Sequence, residues 1–234
     1  MADNEMGQDR PETPLDALGI MASQQAILGP NLRQVEMYTR RGLLSLLWHE
    51  PDTAEQKVGV VMVGGAMGGT LGPGDSLFHA LGEALASVGV PSIRLSYRKP
   101  NDMDSCCVDT AAAVQLLVGS GADAVVIMGH SFGGAVAIRV AVGLSEMVCG
   151  VVTFATQSAG CEIAGGLQAR PLLMFHGDSD SILPLEASEV VRAIAGTGDL
   201  HVMYGDDHLL AKSHDVMFST TMEWLNTVFT GVAS

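Results

Sequence analysis

The stretch that most constrains the fold runs from residue 124 to residue 141 and joins two apolar runs through a glycine-rich turn. Residues 124–128 are apolar and rich in Val and Ile, which is typical of a strand buried on both faces. The pattern G-x-S-x-G follows at residues 129–133, and residues 135–141 are helical in composition. A serine in a tight turn between strand and helix leaves no room for side chains two residues before or after it, which explains the glycines.

The helix after this turn begins directly beside Ser131. Free backbone N–H groups at a helix N-terminus can stabilise a developing oxyanion beside the serine hydroxyl. In a chain with 28 glycines the pattern can also arise by chance. The strand before it and the helix after it are the context that a nucleophile elbow requires, so we interpret Ser131 as a candidate nucleophile.

Composition limits the classes of function. A chain of 234 residues with 47% hydrophobic residues is long enough for one domain with a sizeable core. No run approaches 18 uninterrupted apolar residues, and the acidic start lacks the pattern of a signal peptide, so a cytoplasmic location is expected. A net charge of -14 disfavours nucleic acid and anionic membrane surfaces as partners. The oligomeric state stays open.

The four cysteines, Cys106, Cys107, Cys149 and Cys161, are interpreted as buried free thiols. Adjacent Cys106 and Cys107 are poorly placed to bond each other. No C-x-x-C or C-x-x-H spacing suggests a zinc site, so no metal is expected.

The order of the predicted elements indicates an α/β fold. Residues 1–30 are predicted to be an N-terminal extension, disordered over about the first dozen residues and with a short helix over residues 15–28. Residues 31–234 are predicted to form a single domain that begins with an antiparallel hairpin of residues 33–38 and 43–49. Strands and helices then alternate, which predicts a mostly parallel sheet of about eight strands with helices on both faces.

A glycine-rich loop at residues 64–74 follows a predicted strand and invites comparison with phosphate-binding loops. It has no G-x-G-x-x-G match, and Thr70 stands where a P-loop requires lysine. We therefore do not expect a nucleotide there. The alternative is a flexible backbone that passes close to a reacting carbonyl, with Ala66 placed to donate an N–H group.

A serine nucleophile needs partners further along the chain. Its hydroxyl needs an adjacent base, usually histidine, and the histidine needs an acid that fixes its tautomer. Open parallel sheets carry such groups at the carboxyl ends of strands. One later predicted strand leads to Asp178 and Asp180, and the next leads to His208. The order Ser131, Asp180, His208 is the one expected of a strand-to-helix serine elbow.

On these motifs the chain resembles the α/β-hydrolases over roughly residues 33–230. The matching motifs are G-x-S-x-G at residues 129–133, H-G-D-S-D at residues 176–180 followed by Pro184, and the Asp-His pair that ends at His208. In that family the acid usually lies three residues after the glycine of the His-Gly turn, with a proline four residues further on. The resemblance therefore selects Asp180 over Asp178.

The resemblance also implies an oxyanion hole made of two backbone N–H groups. One belongs to Phe132, the residue after the nucleophile, and the other to Ala66, with Met67 as an alternative. The pair Gly64-Gly65 stands where the family often has His-Gly, so a glycine replaces the usual histidine.

Several of these residues have structural alternatives. Asp180 could cap the following helix. His214 is a rival to His208, but it falls inside the predicted final helix, so His208 is favoured. His130 is interpreted as a packing residue. The basic cluster at residues 97–99 is interpreted as a solvated loop in preference to a contact for an anionic substrate.

Residues 155–169 are too few for a cap domain, so the compact, lidless layout resembles the dienelactone hydrolases, although these typically use cysteine as the nucleophile. Serine at the elbow also disfavours epoxide and haloalkane chemistry, for which this family uses aspartate. The resemblance implies a serine hydrolase that cleaves a small-molecule ester or thioester through an acyl-enzyme, without a cofactor. The alternative is a non-catalytic binding or scaffold protein, although such family members usually lose a triad residue.

Overall fold

The computed structural model describes residues 13–53 and 57–232 of the chain. Within these residues nine strands form one sheet, and six α-helices flank it. The strands are β1 (Ile20–Gly29), β2 (Leu32–Thr39), β3 (Gly42–His49), β4 (Val58–Val63), β5 (Ser92–Ser96), β6 (Ala124–His130), β7 (Val148–Phe154), β8 (Leu172–Gly177) and β9 (Asp199–Met203). The helices are α1 (Pro14–Leu18), α2 (Pro73–Ser87), α3 (Met103–Gly119), α4 (Phe132–Gly143), α5 (Glu186–Ala195) and α6 (His214–Val232).

The sheet has the strand order β1-β2-β3-β5-β4-β6-β7-β8-β9. Neighbours are antiparallel from β1 to β5 and parallel from β5 to β9. The predicted mostly parallel α/β sheet with an N-terminal antiparallel hairpin is confirmed, with nine strands instead of about eight. Side chains of α2 and α6 pack in one apolar cluster, and those of α3, α4 and α5 pack in another. Helices thus cover both faces, which is why β4, β6 and β8 are buried along their whole length.

The helix predicted over residues 15–28 is wrong for most of its length. Helix α1 ends where Gly19 takes the left-handed conformation with φ 59°. The following residues form β1, which pairs with β2 along its whole length. The two strands form a hairpin across Pro30 and Asn31, and the helical composition of residues 20–28 did not indicate it. The disorder predicted for about the first dozen residues lies outside the described residues, and the domain boundary at residue 31 stays a prediction.

Short connections follow the strands at the carboxyl edge of the sheet. Between β7 and β8 the only helical segment is the 3-10 turn Ala164–Leu167, and no cap domain is inserted there. All four cysteines are free, with Cys106 and Cys161 buried as predicted and Cys107 and Cys149 half-buried. None of the helices in the described residues is long and apolar enough to cross a membrane.

Candidate active site

Ser131 stands at the junction of β6 and α4 in the strained turn that the sequence predicts. Its φ of 56° and ψ of -119° lie outside the regions that residues with a side chain usually adopt. A Cβ atom on Gly129 would lie 2.0 Å from the carbonyl oxygen of Gly133, and one on Gly133 would lie 2.3 Å from that of Gly64. Both glycines are therefore required by close backbone contacts around the serine.

The structure brings the three predicted residues into one chain of hydrogen bonds. His208 Nε2 lies 3.0 Å from Ser131 Oγ, and His208 Nδ1 lies 2.7 Å from Asp180 Oδ2. The carboxylate accepts from Nδ1–H, which leaves Nε2 to accept the serine proton. The three side chains follow β6, β8 and β9, whose carboxyl ends share one edge of the sheet.

Asp180 is held as an ionised acceptor by its own loop. Its side chain is fully buried, and Oδ1 accepts the N–H groups of Ile182 at 2.8 Å and Leu183 at 2.9 Å. Burial raises the pKa of Asp180, but hydrogen bonds from Leu183, His208 and Ile182 outweigh it, so the net pKa is lowered. The capping alternative does not apply, because the N-cap of α5 is Leu185, without a side-chain hydrogen bond.

The loop of the candidate acid is locked to the loop of the candidate base. Exposed Asp178 accepts the N–H group of Gly205 at 2.6 Å, and Ser179 N–H donates to Asp206 O at 3.0 Å. A Cβ atom on Gly177 would lie 2.3 Å from the same Asp206 oxygen. These contacts fix the distance between the two loops. Asp178 therefore has a structural role in holding the loops together.

The rival histidine, His214, lies elsewhere. It is the first residue of α6, its Nδ1 contacts the carbonyl of Gly74, and its ring stacks on Phe218 with the centroids 6.4 Å apart. The geometry around Ser131 therefore favours His208 over His214 as the base.

His130 does more than pack. Its Nε2 lies 3.0 Å from the backbone carbonyl of His208, and because a carbonyl can only accept, this nitrogen carries the proton. Burial lowers the pKa of His130 to about 4, so the ring is neutral at pH 7. The residue before the serine thus fixes the backbone that carries the histidine. The two partners are 78 positions apart, so no local signal could have revealed this contact.

Replacing His130 with phenylalanine is expected to lower kcat about tenfold while KM changes little, because it leaves a buried carbonyl beside His208 without its donor. Steady-state hydrolysis of a chromogenic ester measures both constants. His130→Gln, which restores a side-chain N–H donor, is the matched control and should recover part of the loss. A change in KM with kcat preserved would contradict the positioning role.

The glycine-rich loop lies against the serine. A Cβ atom on Gly65 would lie 3.4 Å from Ser131 Cβ, and Ala66 follows directly. Phe132 is the first residue of α4, where a backbone N–H has no partner within the helix. Neither Phe132 nor Ala66 donates its N–H group to any acceptor in the described part of the chain. Both groups are thus available to a ligand oxygen.

Arg94 of β5 binds the backbone of the glycine-rich loop. This role was not predicted from the sequence. The guanidinium of Arg94 is buried and donates to the carbonyl of Thr70 at 3.1 Å and to His49 Nε2 at 3.0 Å. Burial, together with the charge of Arg94, lowers the pKa of His49 to about 4, so its ring is an uncharged acceptor at neutral pH.

The interpretation of residues 97–99 as a solvated loop is wrong for two of the three. Tyr97 is 3% exposed, and the side chain of Arg98 is 4% exposed with its Nε 2.5 Å from Asp109 Oδ1. Only Lys99 is exposed, and it pairs with Asp102 at 2.6 Å. Because both cations have carboxylate partners, the alternative of a contact for an anionic substrate has no support. The burial follows from packing against α3, which a basic tripeptide does not signal.

Comparison with solved structures identifies the fold. No protein-family model and no curated protein matches the sequence, but many solved structures match the described architecture. Est1E from Butyrivibrio proteoclasticus matches with a TM-score of 0.71 and 15% identity over 84% of this chain and 99% of that chain. The chain has the α/β-hydrolase fold. Dienelactone hydrolase from Anabaena variabilis matches with a TM-score of 0.69 and 16% identity over 88% of this chain and 98% of that chain.

A third structure with this α/β-hydrolase fold is described as having no lid. XC6422 from Xanthomonas campestris, described as an α/β serine hydrolase without a lid, matches with a TM-score of 0.68 and 16% identity over 86% of this chain and 97% of that chain. The similar structures include named esterases and serine hydrolases. Among the described residues no group of three or more His, Cys, Asp or Glu side chains could hold a metal ion.

Proposed function

We propose that this chain is a serine hydrolase that cleaves a small-molecule carboxylic ester or thioester through an acyl-enzyme. The observation that carries the proposal is the continuous chain of hydrogen bonds from Ser131 through His208 to Asp180. The fold supports it, since its structural neighbours include named esterases and serine hydrolases.

In the proposed mechanism Ser131 Oγ attacks the carbonyl carbon while His208 Nε2 takes the hydroxyl proton. Asp180 stabilises the resulting imidazolium. The N–H groups of Phe132 and Ala66 hold the tetrahedral oxyanion. His208 then returns the proton to the departing alkoxide or thiolate, which leaves the acyl group on Ser131. A water molecule, deprotonated by His208, releases the acid and restores the serine.

Three exposed apolar side chains neighbour residues of the candidate site along the chain and favour an apolar substrate. Met67, which follows Ala66, is 93% exposed, and Leu209, which follows His208, is 58% exposed. Ile182, whose N–H group binds Asp180, is 67% exposed. In a site without a lid, these side chains offer contact area to an acyl or aryl group. Ferulic acid bound to Est1E is consistent with an aromatic acid as the acyl part.

A substrate panel tests the proposal. We expect hydrolysis of p-nitrophenyl esters of short to long acids and of acyl thioesters, and labelling by a fluorophosphonate probe at the peptide that contains Ser131. Preference within the panel identifies the acyl group. No turnover of any substrate combined with no labelling would favour the alternative of a non-catalytic binding or scaffold protein on this fold.

A further inference from the structure

Strand β1 is exposed on both of its faces. Every residue from Ile20 to Leu28 is exposed, so its side chains contribute almost nothing to either apolar cluster. It is held in place by its pairing with β2 and by two side-chain hydrogen bonds. Gln24 donates to Glu36, and Arg33 donates to Gln25. A ten-residue strand is thus ordered without covering a core.

The outer edge of β1 is unpaired within the described part of the chain. It is the first strand in the sheet order, and no other strand of the described residues pairs with its outer side. In an antiparallel edge strand, alternate residues direct their N–H and C=O groups away from the sheet. Proteins usually block such edges with charged side chains, proline or short strands. Residues 20–29 contain no charged residue and no proline, and the ladder is regular from Ala22 to Ile27.

The sequence of β1 is complementary to itself. Its exposed large apolar side chains lie at the two ends, at Ile20 and Met21 and at Ile27 and Leu28, with exposures between 40% and 87%. Its centre, residues 23–25, is Ser-Gln-Gln. If two copies run antiparallel, the apolar end of one strand meets the apolar end of the other, and the two polar centres meet each other.

Local charge also favours a second copy at this place. The chain carries a net charge of -14, so two copies repel over most of their surfaces. Residues 20–50, which contain β1, β2 and β3, hold three arginines (Arg33, Arg40, Arg41) and two glutamates (Glu36, and Glu50, which pairs with Arg33), a formal net charge of +1. This is a region where two acidic molecules can approach without strong repulsion.

We propose that β1 is a dimer interface, at which β1 pairs with β1 of a second copy of this chain. The strands run antiparallel across a two-fold axis near Gln24, and the two sheets become one continuous sheet. Ser131 follows β6, five strand spacings from β1, or roughly 24 Å. The dimer therefore leaves the candidate active site open, and the inference does not depend on the proposed function.

Sedimentation equilibrium of the full chain tests the interface. We expect a species of twice the chain mass of 24.4 kDa in the wild type. The double variant Ala22→Lys/Ala26→Lys places lysines opposite each other across the axis and should be monomeric, with ester hydrolysis per chain unchanged. Because added lysines reduce the overall negative charge, general repulsion cannot explain a loss of the dimer.

Two further variants make the test specific. Val190→Lys/Ile194→Lys on the exposed side of α5 adds the same charge and should leave the dimer intact. Ala22→Glu/Ala26→Lys places opposite charges across the axis and should restore it. A wild-type chain of 24.4 kDa at every concentration, a dimer that survives the first double lysine variant, or a failed restoration would each overturn the proposal.

Discussion

Replacing Ser131 with alanine is expected to lower kcat by about 10⁴- to 10⁶-fold, the range seen when a serine hydrolase loses its nucleophile. The variant lacks the oxygen that lies 3.0 Å from His208 Nε2, so no acyl-enzyme can form. Because alanine differs from serine only by that oxygen, the fold should be intact. Ester hydrolysis at saturating substrate gives kcat, and thermal unfolding followed by circular dichroism checks stability.

Ser179→Ala is the matched control for this variant. Ser179 lies in the neighbouring loop and its hydroxyl contacts exposed Asp178, away from the line between Ser131 and His208. The control should keep near-normal turnover and fluorophosphonate labelling, whereas Ser131→Ala should lose both. Near-normal hydrolysis by Ser131→Ala would remove Ser131 from the role of nucleophile.

Replacing Asp180 with asparagine is expected to lower kcat by about 10³- to 10⁴-fold. The carboxylate accepts a hydrogen bond from His208 Nδ1–H, and that bond keeps Nε2 unprotonated towards Ser131. An amide N–H in the same place donates to Nδ1 and stabilises the opposite tautomer, in which Nε2 cannot accept the serine proton. Steady-state kinetics at neutral pH measure the loss.

Asp178→Asn is the matched comparison, because it makes the same chemical change two residues away. The carbonyl oxygen of the new side chain can still accept the N–H group of Gly205, which Asp178 holds at 2.6 Å. We expect a change in kcat of no more than a few-fold. If Asp178→Asn were the more damaging of the two, Asp178 would be the acid and the assignment of Asp180 would be wrong.

Local patterns in the sequence predicted the centre of the fold. The strand, the tight turn at Ser131 and the helix after it follow from an apolar run and from two glycines, whose constraints act over a few residues. Alternating strands and helices then imply a parallel sheet, whose carboxyl ends gather distant residues at one edge. For this reason Asp180 and His208 could be named as candidate partners of Ser131, although Asp180 was preferred to Asp178 only through the family resemblance.

The tertiary structure alone decided the features that depend on partners in another element. Residues 20–28 have the composition of a short helix but form β1, because β2 offers a long backbone ladder. Arg98 has the appearance of a surface cation but is buried against Asp109. His130 reaches the backbone of His208 across 78 positions. Such contacts arise from packing between elements, and neither spacing nor composition within one segment contains them.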